Sequence, residues 1–99
     1  MTGYSFDPLA AKDVLKIARE YEEKSSGLGK KFRDDLATVI NLLRSVPQAA
    51  PVIRGNIRRK SLDRFPYSLI YAIEENEIRI YAVMHHRRRP DTWLKRLPE

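Results

Sequence analysis

Basic side chains outnumber acidic ones most clearly in the second half of this sequence, residues 54–99, and they are the residues best suited to chemistry. Arginine and lysine cations stabilise negative charge, and a histidine can transfer protons near neutral pH. The candidate cations are Arg58, Lys60, Arg64, Arg79 and Arg87, and the candidate proton carrier is His85. We therefore expect a negatively charged partner, either a nucleic acid or an acidic segment of another protein.

One dense run of positive charge is Arg87-Arg88-Arg89. Three consecutive arginines match a generic nucleic-acid patch, but a solvated surface has the same composition. Trp93 follows closely and also has two interpretations. It can stack on a base, or it can anchor the end of the chain on the core, and the second is the more common role of a tryptophan.

The sequence predicts no metal site and no cofactor. His85 and His86 are consecutive at the end of a predicted strand, so their side chains should point to opposite faces and cannot easily share one ion. There is no cysteine, which excludes a thiolate zinc site and a disulfide scaffold. Gly27 and Gly29 follow no strand, so they do not form a phosphate-binding loop.

Length and composition predict one cytoplasmic domain spanning residues 1–99. Of the 99 residues, 42% are hydrophobic, enough for a core without a metal or disulfide. No apolar stretch approaches the roughly 20 residues that span a bilayer, so we expect no membrane partner. The first residues lack the basic and apolar regions of a signal peptide.

Charge is distributed unevenly along the chain. Residues 1–53 carry eight Lys/Arg against seven Asp/Glu, whereas residues 54–99 carry eleven against six. The first half has the mixed surface of a scaffold, and the second half carries the positive field. Such a field accelerates encounter with polyanions and makes binding depend on salt.

Two amphipathic helices are predicted in the first half. Tyr4-Ser5-Phe6 suggests a short strand, and Asp7-Pro8 then provides a cap and a first helical residue. Apolar residues recur at spacings of three and four after Pro8 and again after Leu28, with Ser25-Ser26-Gly27 between the two runs. The pattern predicts an antiparallel helical hairpin with Asp34 and Asp35 on its solvated side, ending near Pro47.

The second half has strand periodicity. We predict a connecting loop over 47–55, a strand over 56–62, and a hairpin of 67–74 with 77–85 that turns at Glu75-Asn76. Strict alternation in the last strand places one set on the helix side and another on the opposite side. The first set is Ile78, Ile80, Ala82 and Met84, and the second is Arg79, Tyr81, Val83 and His85.

The predicted fold class is therefore α+β with the order β-α-α-β-β-β. In this arrangement the helical hairpin packs on one face of a small antiparallel sheet. The opposite face is expected to be open and basic, and the segment after Pro90 is expected to be a short tail turn.

Three segments resemble the RelE/ParE superfamily of bacterial type II toxin–antitoxin toxins. They are Asp13-Val14-Leu15-Lys16-Ile17, the strand Arg64-Phe65-Pro66-Tyr67-Ser68-Leu69-Ile70-Tyr71, and the end of the chain from Ala82 to Trp93. The Phe-Pro-Tyr strand followed by His-x-x-Arg-x-Pro-x-x-Trp is similar to the ParE-type branch of plasmid stabilisation proteins.

The resemblance implies a toxin in a hetero-oligomer with a cognate antitoxin, whose acidic C-terminal segment folds as it binds. In ParE-like members the target is DNA gyrase, and in RelE-like members it is mRNA on the ribosome. The residues expected to contact a target or the antitoxin are Arg58, Arg59, Arg64, Arg79, Arg87, Arg88, Arg89 and Trp93.

The alternative activity is that of a ribosome-dependent endoribonuclease, which needs a base, a proton donor and cations around the attacked phosphate. Its catalytic residues would be His85, Arg64, Arg87 and Lys60. No tyrosine follows Tyr81, so the C-terminal hydroxyl common in ribosome-dependent relatives is missing. This departure favours a non-enzymatic inhibitor of gyrase.

Overall fold

The computed structural model describes residues 1–97, which form two layers. Within these residues the elements are, in chain order, β1 (Gly3–Phe6), α1 (Pro8–Lys24), α2 (Leu28–Ser45), β2 (Val52–Arg54), β3 (Ile57–Ser61), β4 (Tyr67–Glu74), β5 (Glu77–His85) and α3 (Pro90–Leu94). The α+β fold class is confirmed, with α1 and α2 packed on one face of the sheet. No helix in the described part of the chain is both long and apolar enough to cross a membrane.

Local sequence accounts for the helical hairpin. The Asp7 carboxylate accepts a hydrogen bond from the Leu9 amide at 3.0 Å, which satisfies one free amide at the start of α1. Pro8 is the first helical residue, where its missing N–H costs no hydrogen bond. Gly27 then adopts φ 86°, a left-handed conformation that glycine reaches without strain, and α2 begins at the next residue.

The sheet is mixed rather than purely antiparallel. Its strand order is β1-β5-β4-β3-β2, and every neighbouring pair is antiparallel except β1 with β5. The chain between these parallel strands runs through α1, α2 and the other three strands, which is far longer than the minimum that a parallel crossover needs. β1 pairs only with residues 77–80, so the last part of β5 has no strand neighbour on that side.

The prediction of a loop over 47–55 was wrong for its last residues. Val52–Arg54 form the edge strand β2, which pairs with β3 across Gly55. Gly55 has φ 56°, so it supplies the turn. All three β2 residues are exposed, and this removes the apolar alternation by which a strand is predicted.

The predicted faces of β5 were wrong after Tyr81. Ile70 pairs with Ala82, but the next β4 residue, Tyr71, pairs with Ile80, so Tyr81 is an extra residue in β5. A bulge of this kind reverses the alternation. Val83 therefore packs on the helix side with Ile80, while Ala82 and Met84 face the other way.

Apolar clusters occupy both faces of the sheet. The larger lies between the sheet and the helices and includes Phe32, Leu43 and Tyr71. The smaller lies on the opposite face and consists of Ile57, Ile70, Ala72, Tyr81, Ala82, Met84 and Trp93, with Leu94 and Leu97 packed against it. The expectation of an open, basic second face was therefore wrong where Trp93, Leu94 and Leu97 cover apolar residues of the strands.

Candidate partner-binding surface at the end of β5

A cleft of about 240 Å³ opens where β5 ends, between α1 and the last described residues. It combines cationic, acidic and hydroxyl side chains in one place. Its lining consists of Asp13, Lys16, Ile17, Glu20, Tyr67, Val83, Met84, His85, Arg88, Thr92 and Arg96. The cleft therefore joins the first helix to the basic end of the chain.

His85 lies half-buried at this cleft and is held by neighbours on two sides. Its Nδ1 accepts a hydrogen bond from the Arg87 amide at 3.0 Å. Its ring stands edge-on to Tyr67 with 5.1 Å between the ring centroids. Because Nδ1 is the acceptor, neutral His85 carries its proton on Nε2 and can donate it.

Tyr67 belongs to an aromatic group at the base of the cleft, with Tyr21, Phe32 and Phe65. Burial raises the pKa of the Tyr67 hydroxyl, and the neighbouring Tyr21 and Glu20 raise it further. The hydroxyl therefore stays protonated at neutral pH. It can donate a hydrogen bond, but it is a poor general base.

The arginine turn, residues His86–Arg89, has a fixed backbone and exposed side chains. The His86 amide donates to the Pro66 carbonyl at 2.9 Å, and the Arg88 amide donates to the His85 carbonyl at 2.9 Å. The Thr92 amide then donates to the carbonyl of Arg89, the residue before α3. Three guanidinium groups thus project from an ordered support.

Asp13 connects the end of β5 to the C-terminal segment, and the sequence analysis gave it no role. One of its oxygens accepts from the Val83 amide at 3.1 Å, where β1 no longer covers β5. The Arg96 guanidinium donates to both Asp13 oxygens, at 2.5 and 3.0 Å. The partners are too far apart in sequence for any local motif to reveal them.

Two of the arginines predicted to bind a partner instead form hydrogen bonds within the chain. Arg58 lies on the helix side of β3 and donates to the carbonyls of Gln48 and Ala50, at 3.1 and 2.6 Å. Arg79 lies on the opposite face and donates to Ser5 Oγ and the Phe6 carbonyl. These guanidinium groups fix a loop and β1, so neither projects freely from the surface.

Arg59 and Lys60 are half-buried on opposite faces of β3. The Arg59 Nε donates to Ser68 Oγ at 3.2 Å, on the face away from the helices. Lys60 pairs in register with Leu69, whose side chain belongs to the helix-side cluster. These two residues therefore cannot act together on one ligand at the sheet surface.

Arg64 and His85 do not line one site. Arg64 borders a separate concavity of about 330 Å³ with Asp63 and residues of α2. Its backbone amide donates to Asp35 Oδ2 at 2.8 Å. Asp35 is only 6% exposed, so its predicted place on the solvated side of α2 was wrong.

Trp93 is buried, at 6% exposure, in the apolar cluster on the second face. Its position corresponds to the anchoring interpretation, and its ring is not available for stacking on a base. Among the candidate binding residues, Arg64, Arg87, Arg88 and Arg89 are exposed. Their contacts with a partner remain a prediction.

The described residues contain no group of three or more His, Cys, Asp or Glu side chains placed to hold a metal ion. In the cleft, Asp13 is already engaged by Arg96 and Val83. The remaining side chains with charge, Lys16, Arg88 and Glu20, suit contacts with another macromolecule better than metal chemistry.

Comparison with known proteins identifies the family. No protein with a curated description matches the chain. A solved structure of the chromosomal ParDE TA system from P. aeruginosa contains a chain with the same fold, at 23% sequence identity and a TM-score of 0.72, over 86% of this chain and 96% of that one. The sequence model for the ParE toxin of the type II toxin–antitoxin system parDE matches residues 4–90. The chain therefore belongs to the ParE toxin family of type II toxin–antitoxin systems.

Proposed function

We propose that this toxin arrests growth in the cytoplasm by inhibiting DNA gyrase, and that a cognate antitoxin keeps it silent. The observation that carries the proposal is the arginine turn, three exposed guanidinium groups on an ordered backbone in a chain of the ParE family. Exposed cations on an ordered backbone suit recognition of an acidic surface on a large partner, because the backbone that carries them loses little conformational entropy on binding.

The placement of the candidate catalytic residues supports inhibition by binding rather than RNA cleavage. His85 lines the cleft at the end of β5, whereas Arg64 borders another concavity beside α2. Concerted proton transfer and charge stabilisation need groups within hydrogen-bonding distance of one reacting phosphate. The four predicted catalytic residues are not gathered in this way.

The antitoxin is the second expected partner. The solved relative is described as part of a ParDE TA system, which supports a hetero-oligomer for this chain as well. Exposed apolar side chains occur on the helical hairpin, among them Leu15 at 51% and Leu42 at 47% exposure. An amphipathic antitoxin segment would cover such residues and place its carboxylates near the basic side chains.

The test is a supercoiling assay with purified toxin, gyrase and relaxed plasmid. We expect the toxin to stop supercoiling, and the cognate antitoxin to restore it. Cells that express the toxin alone should filament and induce the DNA-damage response. Undiminished supercoiling at toxin concentrations that stop growth would contradict the proposal.

Two triple variants separate the position of the charge from its amount. R87Q/R88Q/R89Q removes the cations of the arginine turn, and R19Q/R33Q/R54Q removes three other exposed arginines. We expect the first variant to lose inhibition and the second to retain it. Surface substitutions of this kind change the free energy of unfolding by only about 0.5 kcal/mol each. Equal inhibition by both variants would remove the turn from the interface.

A ribosome-dependent endoribonuclease is the second candidate, and one observation favours it. His85 can donate from Nε2 beside Lys16 and Arg88, both of which line the same cleft. On this hypothesis, expression would produce transcripts cut within codons on translating ribosomes, and His85→Ala would abolish the cuts. Intact transcripts during growth arrest would exclude it.

A further inference from the structure

We infer that Asp13 and Arg96 form a latch that fixes the arginine turn against α1, and that the inhibitory activity of the turn depends on this latch. The second half of this inference rests on the proposed function. The first half concerns the order of residues 86–92 and can be tested without any target. Asp13 and Arg96 are thus proposed as positioning residues, since neither belongs to the exposed arginines.

The latch consists of contacts to Asp13 from residues on both sides of the turn. Val83 precedes the turn in β5, and its amide donates to Asp13 Oδ2 at 3.1 Å. Arg96 follows α3, and its two terminal nitrogens reach the two oxygens of the same carboxylate. One side chain of α1 therefore contacts the chain at Val83, before the turn, and again at Arg96, after it.

Residues 93–96 make two kinds of contact, and only one of them belongs to the latch. Trp93 packs on the sheet face away from the hairpin, and this apolar contact holds the segment without fixing its direction. Arg96 instead reaches α1, on the helix side. The segment is thus held on both sides of the β5 end, and the directional contact is the one to Asp13.

The ion pair of Asp13 and Arg96 is buried enough from water to favour one relative orientation of the two side chains. The side chains of Arg96 and Asp13 are 20% and 16% exposed. A two-pronged guanidinium–carboxylate contact at this depth fixes orientation as well as distance. Partly buried ion pairs contribute little net stability, because desolvation offsets their attraction. The main consequence of the latch is therefore the position of the turn.

The first experiment measures backbone hydrogen exchange in the full-length protein. R96Q removes the cation, and D13N/R96Q also removes the carboxylate charge that R96Q leaves without a partner. K95Q is the matched control, because Lys95 is exposed beside Arg96 and loses the same charge. We expect roughly tenfold faster exchange over residues 86–92 in both latch variants, with α2 unchanged and K95Q like the native protein. Native exchange over 86–92 in the folded double variant would overturn the latch.

The second experiment measures inhibition of supercoiling by the same variants. We expect half-inhibition to require a roughly tenfold higher concentration of the latch variants than of the native toxin. R96K should lie between them, since lysine keeps the charge but cannot make the two-pronged contact of a guanidinium group. If exchange rises while inhibition stays native, the turn does not need the latch and the inference fails. If the native protein leaves gyrase untouched, the proposed function fails, and the exchange data alone decide the latch.

Discussion

At the scale of single residues, two adjacent aspartates show how far the environment decides the role of a side chain. Asp34 is exposed and pairs with Lys30 one helical turn earlier, at 2.7 Å. Asp35 is buried and accepts the backbone amide of Arg64 at 2.8 Å. The first contact is a solvated helix pair, whereas the second joins α2 to the loop before β4.

Because the environments of the two aspartates differ, we expect their replacement by alanine to lower the free energy of unfolding by different amounts. Asp35→Ala should lower the free energy of unfolding by about 1–3 kcal/mol, because the Arg64 amide loses its acceptor in a partly buried place. Asp34→Ala is the matched control, and it should cost only about 0.3–0.5 kcal/mol, as expected for an exposed helix pair. Urea denaturation of both variants provides the measurement. Equal costs would mean that the Asp35 contact has no structural importance.

The raised pKa of the Tyr81 hydroxyl leads us to expect a loss of stability at alkaline pH. Burial, the hydrogen bond to Glu74 and the charge of that carboxylate together raise the pKa of this hydroxyl to about 12. In the unfolded chain the pKa of the hydroxyl is near its ordinary value of 10.0, so between pH 10.0 and about 12 the folded state binds more protons. Stability from this group is complete below pH about 10 and falls as the pH rises towards 12.

Denaturation midpoints measured from pH 9 to about 12 test this dependence. Tyr81→Phe should reduce the alkaline decline, whereas Tyr4→Phe, at an exposed position, should leave it unchanged. Other groups with raised pKa values, such as Tyr71, keep part of the slope in both variants. An identical slope in Tyr81→Phe and the native protein would show that this hydroxyl ionises freely in the folded state.

At the scale of elements, local patterns predicted most of the fold. The Asp7-Pro8 start of α1, the glycine break before α2 and the Glu75-Asn76 turn depend on neighbouring residues, and the structure confirms them. β2 was missed because its three exposed residues form a strand only through pairing with β3. The bulge at Tyr81 was missed because the strand partner, and not the local sequence, determines the register.

The same distinction applies to the candidate site. The arginine turn is a local sequence feature, and its exposure follows from its charge density. The contacts of Asp13 with Val83 and Arg96, and of Asp35 with Arg64, join distant parts of the chain. No periodicity or spacing encodes such pairs, so they could be found only once the elements had been packed together.

Packing of α2 against the aromatic group gives a prediction for the core. Phe32 is fully buried and its ring lies 5.5 Å from that of Phe65 and 5.7 Å from that of Tyr67. Phe32→Ala should cost about 3–5 kcal/mol through lost burial and a residual cavity. Leu42→Ala on the same helix, at 47% exposure, is the control and should cost less than about 1 kcal/mol. Chemical denaturation distinguishes them, and comparable losses would contradict the assigned face of α2.

At the scale of the whole molecule, the placement of charge matters more than the formal net value of +6. Arg58 and Arg79 are occupied by internal hydrogen bonds, and Arg96 is bound to Asp13. The exposed turn at the end of β5 keeps three side-chain cations on the surface. A partner approaching the protein therefore meets a concentrated positive field at the arginine turn.

If gyrase is the target, as proposed above, this concentration predicts how association with it depends on salt. Exposed charges are screened over a Debye length of about 10 Å at 0.1 M ionic strength, so higher salt should weaken attraction to the turn. We expect the association rate, measured by surface plasmon resonance, to fall roughly tenfold between about 0.05 M and 0.5 M salt. R87Q/R88Q/R89Q should show a much shallower dependence, and R19Q/R33Q/R54Q, with the same net charge, should follow the native protein. If both variants lose the dependence equally, the total charge rather than the turn directs the encounter.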